Sequence, residues 1–256
     1  MKHVRVTRYV TPLREGGSLP GIVEADDLGT YVCKFRGAGQ GTRVLVAEVV
    51  VAGLARALDI PTPDQVVLDL DPEIARYEAD EEVQDLINAS AGLNLGIDFL
   101  PGSFGYDPTS DPDPDLAGRV LWLDAFTANV DRSWRNPNLL VWRGTLQAID
   151  HGASLYFHHS WPGGPGDPMR FARQPYDASE HILRGFAEQA TAQDADLAAR
   201  LTDETLAAVL ADVCDDWLEP VPGAGTADAL RERYVAFLAA RRDGDRSWLP
   251  APEVAS

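Results

Sequence analysis

The chain has 256 residues, 45% of them hydrophobic and 24% charged, which is enough to bury a sizeable core and too apolar for extended disorder. Its formal charge of -18 argues against a broad basic face for nucleic acid and against anionic membranes. Cys33 and Cys214 lie far apart with no Cys/His cluster, so a structural zinc site is not expected. The start, MKHVRVTRYV, has no apolar signal core, and no apolar run reaches the roughly 18 residues of a membrane span, so the expectation is a cytoplasmic protein.

In chain order, Arg5 to Val10 is β-branched and alternates loosely, and REGGSLPG at residues 14–21 breaks it. Gly21–Ala25 and TYVCKF at residues 30–35 are predicted strands. RGAGQGT precedes a helix over RVLVAEVVVAGLARALD, which IPTPD ends because Pro61 and Pro63 cannot continue it. Gln65–Leu70 is a predicted strand, and Glu73–Ile87 is acidic and helical. LNLGIDFLPGSFGYDPTSDPDPD begins as a strand and becomes a Pro/Asp/Gly loop. An apolar helix follows over Asp115–Val130, then two short strands that turn near Arg143-Gly144. From about Tyr176 the pattern is helical with acidic outer faces. A β-rich amino lobe over residues 1–100 and a mainly helical carboxyl lobe over residues 101–256 are expected.

Two charges stand out against apolar surroundings. Lys34 sits in the strand Tyr31–Phe35 on the same face as Val32, so it either reaches an edge or meets an anion. Glu48 is the only charged residue between Val44 and Ala55. It occupies a narrow solvent stripe, or it is buried and needs a partner. A strand lysine paired with a helix glutamate is the arrangement that holds a lysine on nucleotide phosphates, so each odd charge explains the other. Gly16, Gly17 and Ser18 make a turn whose backbone N–H groups can approach phosphate oxygens, or a plain hairpin turn. Gly37, Gly39 and Gly41 precede the Glu48 helix and fit either an anion site at its N-terminus or an ordinary strand-to-helix loop.

NVDRSWRNPNLLVWRGTLQAIDHG, residues 129–152, carries the sharpest pattern. Asp131 and Asn136 are five apart, the spacing of a catalytic-loop aspartate that orients an acceptor hydroxyl and an asparagine that binds metal. Asp150, fourteen residues beyond Asn136 and across the predicted hairpin, begins Asp-His-Gly where kinases carry a magnesium-binding Asp-Phe-Gly motif. The alternative for DRSWRNPN is an Asx-turn loop. His158-His159 reads as a surface loop, His181 as a structural residue on an amphipathic helix, and Trp122, Trp134 and Trp142 as core.

These residues resemble a family. GGSLP, VCKFRGAGQG, the Glu48 helix, LWLDAFTANVDRSWRNPNLLVW and AIDHGASLYF are similar to the HipA-like kinases, over roughly Arg5 to Tyr156. The resemblance implies an α+β, two-lobed protein-kinase-like fold, with residues 1–256 forming a single kinase-like domain. It implies ATP and Mg2+ as cofactors and transfer of the γ-phosphate to a hydroxyl of a protein substrate. Lys34 then matches the nucleotide-phosphate lysine and Glu48 its helix partner. Asp131 matches the catalytic aspartate, and Asn136 and Asp150 the metal ligands. Gly16, Gly17 and Ser18 join Lys34 at the nucleotide, and the stretch holding Asp98 and Leu100 is the segment whose backbone meets adenine. Asn129-Val130 replaces the His-Arg that precedes the aspartate in protein kinases, and Asn138 is a second amide competing with Asn136. A nucleotide-binding pseudokinase that recruits partners and a small-molecule kinase of the aminoglycoside or sugar type are the alternatives.

Overall fold

The computed structural model describes residues 1–13, 19–39, 41–109 and 112–251. Gly16, Gly17 and Ser18 lie outside the described residues. The chain divides into two compact units. One comprises Met1–Val46, Pro63–Pro101 and Cys214–Trp217; the other comprises Ala47–Thr62, Gly102–Val213 and Leu218–Ser256. It is an α+β chain, and no helix of the described residues is long and apolar enough to cross a membrane.

The first unit is built on β1 (Lys2–Pro12), β2 (Gly21–Ala25), β3 (Thr30–Lys34), β4 (Gln65–Leu70) and β5 (Gly92–Asp98). They close into a barrel in the order β1-β2-β3-β5-β4, the β1–β4 pair being parallel and the others antiparallel. Strand alternation sets the interior: Val23 and Ala25 of β2 and Tyr31 and Cys33 of β3 face the core, with Val4, Val6, Val66 and Leu68. Lys34, opposite Leu95, therefore projects from the face away from Cys33. The acidic stretch after β4 is not one helix. A 3-10 turn (Pro72–Tyr77) and α2 (Glu81–Ala89) each start from their own aspartate cap, Asp71 and Asp80.

The glycine turn before the next helix is fixed by side chains of this unit. Asn94, fully buried, accepts the Arg36 N–H at 2.8 Å, and Ser90 Oγ accepts the Gly37 N–H at 3.1 Å. A Cβ on Gly37 would sit 2.7 Å from the Ala89 carbonyl oxygen, so close backbone approach is what demands glycine there. Gly41 has φ +68°, the left-handed region.

α1 spans Thr42–Ala57, and from Ala47 onward it belongs to the second unit. That unit holds α3 (Pro114–Thr127), a sheet of β6 (Phe104–Gly105), β7 (Leu139–Trp142) and β8 (Thr145–Ala148), and helices α4 (Pro168–Ala172), α5 (Ala187–Arg200), α6 (Asp203–Ala211) and α7 (Ala227–Asp243). The β7–β8 turn has positive φ at both central residues, Arg143 (51°) and Gly144 (79°), the twist a two-residue hairpin requires. Trp122 and Phe126 of α3 stack at 5.1 Å, and Trp248 closes on them edge-on. Gly118 of α3 and Gly53 of α1 are contact points: a Cβ would fall 2.6 Å from Gln189 Cβ and 2.7 Å from Val209 Cγ1.

Three expectations need correction. Helical structure does not begin at Tyr176; α5 starts at Ala187, and His181 lies in an isolated bridge to Ser133 rather than on a helix. His158 is fully buried, its Nδ1 3.0 Å from Tyr234 Oη, so it is no surface-loop residue. Of the three tryptophans assigned to the core, Trp122 is there, but Trp134 is 58% exposed and holds Glu180 through its indole N–H at 2.9 Å. For His158 the partner that accompanies burial, Tyr234, lies 76 residues away, where local periodicity carries no trace of it.

Candidate active site

α3 delivers the chain to Asp131. It starts at Asp113, whose carboxylate caps the Leu116 N–H, and ends three residues earlier than its apolar pattern. The stop comes from Ala128 in the left-handed conformation (φ 54°), with the Asn129 N–H returning to the Asp124 carbonyl at 2.8 Å. The Asn129 side chain then works at both ends. Its Nδ2 donates to Asp124 Oδ1 at 2.9 Å, and its Oδ1 accepts the Asp131 N–H at 3.0 Å. Tyr176 Oη donates to the Asn129 carbonyl at 2.9 Å.

Two amides sit against Asp131. Asn136 Nδ2 donates to Asp131 Oδ2 at 3.0 Å, and Asn138 Nδ2 donates to the Asp131 carbonyl at 2.7 Å. They differ in consequence. Asn138, with φ 47°, fixes backbone, whereas Asn136 is exposed, engages the carboxylate with its NH2 end and keeps Oδ1 for another electrophile. Asp150 is partly buried and has φ 53°. The next N–H, that of His151, donates to Glu48 Oε2 at 3.0 Å. Glu48 is fully buried, so it does not occupy a solvent stripe.

Beneath this loop lies a buried ionic cluster that the sequence reading missed. Asp124 of α3, fully buried, takes Arg132 Nε at 2.5 Å and His181 Nε2 at 3.0 Å on one oxygen, and Asn129 and Arg132 on the other. Burial alone would push the Asp124 carboxyl up; the Arg132 guanidinium and His181 outweigh it and hold the group well below the usual carboxylate range. Arg132 also donates to the Asn138 carbonyl, to the Ile149 carbonyl at 3.2 Å and toward His151 Nδ1 at 3.3 Å, so all five of its N–H groups have acceptors. The Leu183 N–H donates to His181 Nδ1 at 3.0 Å, which assigns the ring proton to Nε2 facing Asp124. The one local signal was a lone aspartate, Asp124, inside the apolar run LWLDAFTANV, the same signal that singled out Glu48; Arg132 carries none.

In the first unit, Lys34 is half-buried on β3 and pairs with Leu95 in the ladder. Asp98 ends β5. Burial, with Asp64 and Asp27 adding to it, pushes its carboxyl up. The Asp98 and Phe99 N–H groups are taken by the Asp64 and Thr30 carbonyls, while the Leu100 N–H meets no backbone carbonyl among the described residues. As donors for a divalent cation, the Asp150 carboxylate and the Asn136 carbonyl oxygen are hard oxygen ligands of the kind magnesium takes. Among the described residues no three His, Cys, Asp or Glu side chains group to hold a metal.

The family model described as HipA-like kinase matches residues 6–161. The chain belongs to the HipA-like kinase family. The match takes in Lys34, Glu48, Asp124, Asp131, Arg132, Asn136 and Asp150, and it stops before α4. No curated protein matches the chain. A crystal structure of the Helicobacter pylori proinflammatory kinase CtkA is similar at 10% identity and TM-score 0.47, over 90% of this chain and 93% of that one. The Golgi casein kinase with Mn/ADP bound is similar at 13% identity and TM-score 0.40, over 96% of this chain and 74% of that one. Neither likeness is strong enough to transfer an activity.

Proposed function

We propose that this HipA-like kinase is an ATP- and magnesium-dependent phosphotransferase that moves the γ-phosphate to a hydroxyl of a protein substrate, the whole chain acting as one two-lobed catalytic domain in the cytoplasm. The observation that carries the reading is the Asp131–Asn136 contact of 3.0 Å on a loop that shares the Arg132 guanidinium with the peptide entering Asp150. Asp131 orients the acceptor hydroxyl and takes up its proton as the oxygen attacks. Asn136, rather than Asn138, and Asp150 hold the cation, because Asn138 is committed to the Asp131 carbonyl. A divalent cation, when bound, supplies positive charge that neutralises the transferring phosphoryl group. Lys34 serves the phosphates, with Gly16, Gly17 and Ser18 contributing backbone donors, and the backbone at Asp98–Leu100 receives the base through the Leu100 N–H. Glu48 keeps Asp150 in place through His151. Catalysis is positioning and electrostatic stabilisation, with no covalent enzyme intermediate.

The test is turnover of labelled ATP with magnesium by the purified protein and by Asp131→Ala and Asp150→Ala. The wild type is expected to hydrolyse ATP or phosphorylate itself or added protein, and both variants to fall to background with unchanged circular dichroism. Undiminished turnover in either variant overturns the assignment of that residue. Nucleotide binding by the wild type without turnover supports a pseudokinase, and phosphorylation of amino-alcohols but no protein supports a small-molecule kinase.

A further inference from the structure

Asp150 is flanked by two peptide groups that are each held by a charged, buried side chain. The carbonyl entering it, that of Ile149, accepts from Arg132 at 3.2 Å, and the N–H leaving it, that of His151, donates to Glu48 at 3.0 Å. Asp150 itself stands at φ 53°, in the left-handed region that aspartate and asparagine enter more readily than other non-glycine residues. Asn138, at φ 47°, is in the same position on the Asp131 side, and its carbonyl is held by the same Arg132 nitrogen. The ring that follows Asp150 is caught as well, since His151 Nδ1 lies 3.3 Å from Arg132 Nη2 and so accepts from it, leaving its proton on Nε2. Besides the Arg132 bonds, backbone bonds among the described residues join the two segments: Val130 N–H to Ala153 O, Ile149 N–H to Asn138 O, and Leu155 N–H to Thr127 O.

We infer that Arg132, anchored by Asp124, is a positioning residue that couples the Asp131 loop to the Asp150 segment, so that the two hold or lose their geometry together. A planar fork suits this role. Its five N–H directions reach Asp124, a carbonyl on each segment and an imidazole at once, which a lysine ammonium on a flexible stem does not. The anchor is electrically closed: one carboxylate, one guanidinium and a neutral His181, with no net buried charge. The same cluster draws in a third segment, since the Ile182 N–H donates to the Arg132 carbonyl at 3.2 Å and Ser133 bridges His181. The structural part of this inference stands on contacts alone; its kinetic part rests on the phosphotransferase reading.

The experiment is amide hydrogen exchange on the full chain, wild type against Arg132→Lys, with ATP turnover in parallel. Peptides covering residues 129–138 and those covering 149–153 are both expected to exchange at least about tenfold faster, equivalent to about 1.4 kcal/mol of local opening. α5 and α7 should keep their protection. In turnover, kcat should fall about 10- to 100-fold, the range for removing a group that orients first-contact ligands, and far more than KM for ATP changes. Faster exchange confined to 129–138, or no change in either segment, overturns the coupling. If the wild type does not turn over ATP, the phosphotransferase reading fails and the exchange result alone decides this inference. Should the lysine variant not fold, His151→Leu, which removes a single acceptor of the guanidinium, carries the same exchange test with the same outcomes.

Discussion

Replacing Asp124 by asparagine removes one charge and almost no volume, and the structure fixes what should follow. Both side chains of the Asp124–Arg132 pair are fully buried, with Nε–Oδ2 at 2.5 Å, and His181 facing them is neutral. The variant therefore leaves a guanidinium in the interior with no carboxylate. Breaking a buried pair from one side costs about 3–5 kcal/mol, because the remaining charge keeps its desolvation penalty. Against a total stability of about 5–15 kcal/mol this is a large share, and for a chain of this size it lowers Tm by roughly 10 °C. Removing the stranded charge as well, in Asp124→Asn/Arg132→Gln, should return part of the loss, although the Asn138 and Ile149 carbonyls then lose a charged donor. The dependence on pH has a definite sign. The folded-state carboxyl is held below its unfolded value, so its contribution is fully present above about pH 4 and disappears only as pH falls through the lower, folded value. Urea denaturation at pH 7 and at a series of lower pH values measures both effects. A loss under about 1 kcal/mol at pH 7, or a double variant no more stable than the single one, would refute the reasoning.

Two further outcomes are expected. Gly53→Ala should cost about 1–3 kcal/mol by overpacking, since its Cβ would lie 2.7 Å from Val209 Cγ1, and Gly53→Ala/Val209→Ala should recover much of it in thermal melts. Cys33 is fully buried in the barrel and its thiol is pushed up by that burial, so iodoacetamide at pH 8 should label Cys214 alone in the native protein and both cysteines in guanidinium; native labelling of Cys33 would contradict the barrel packing.

The family was legible because its motif is written locally. Asp131, Asn136 and Asp150 keep fixed spacings around a hairpin whose Arg143-Gly144 turn declares itself, and Glu48 is the only charge between Val44 and Ala55. The strands β2, β3 and β4 and the helix α1 followed from alternation and from proline stops. Apart from the lone Asp124 in its apolar run, the cluster under the loop was not legible. Asp124, Arg132, His151 and His181 are ordinary polar residues in sequence, up to 57 positions apart, and whether they are buried depends on which of them meet.

The sequence by itself therefore determined which side chains are available for the chemistry and in what order they come along the chain, since spacing and periodicity act over a few residues. Only the tertiary structure decided that the carboxylate of Glu48 takes the N–H of His151, 103 residues away, and that one guanidinium spans Asn138, Ile149 and His151. The physical reason is that a buried charge is tolerated only where folding supplies its partners, and those partners are chosen by packing rather than by neighbourhood in the chain.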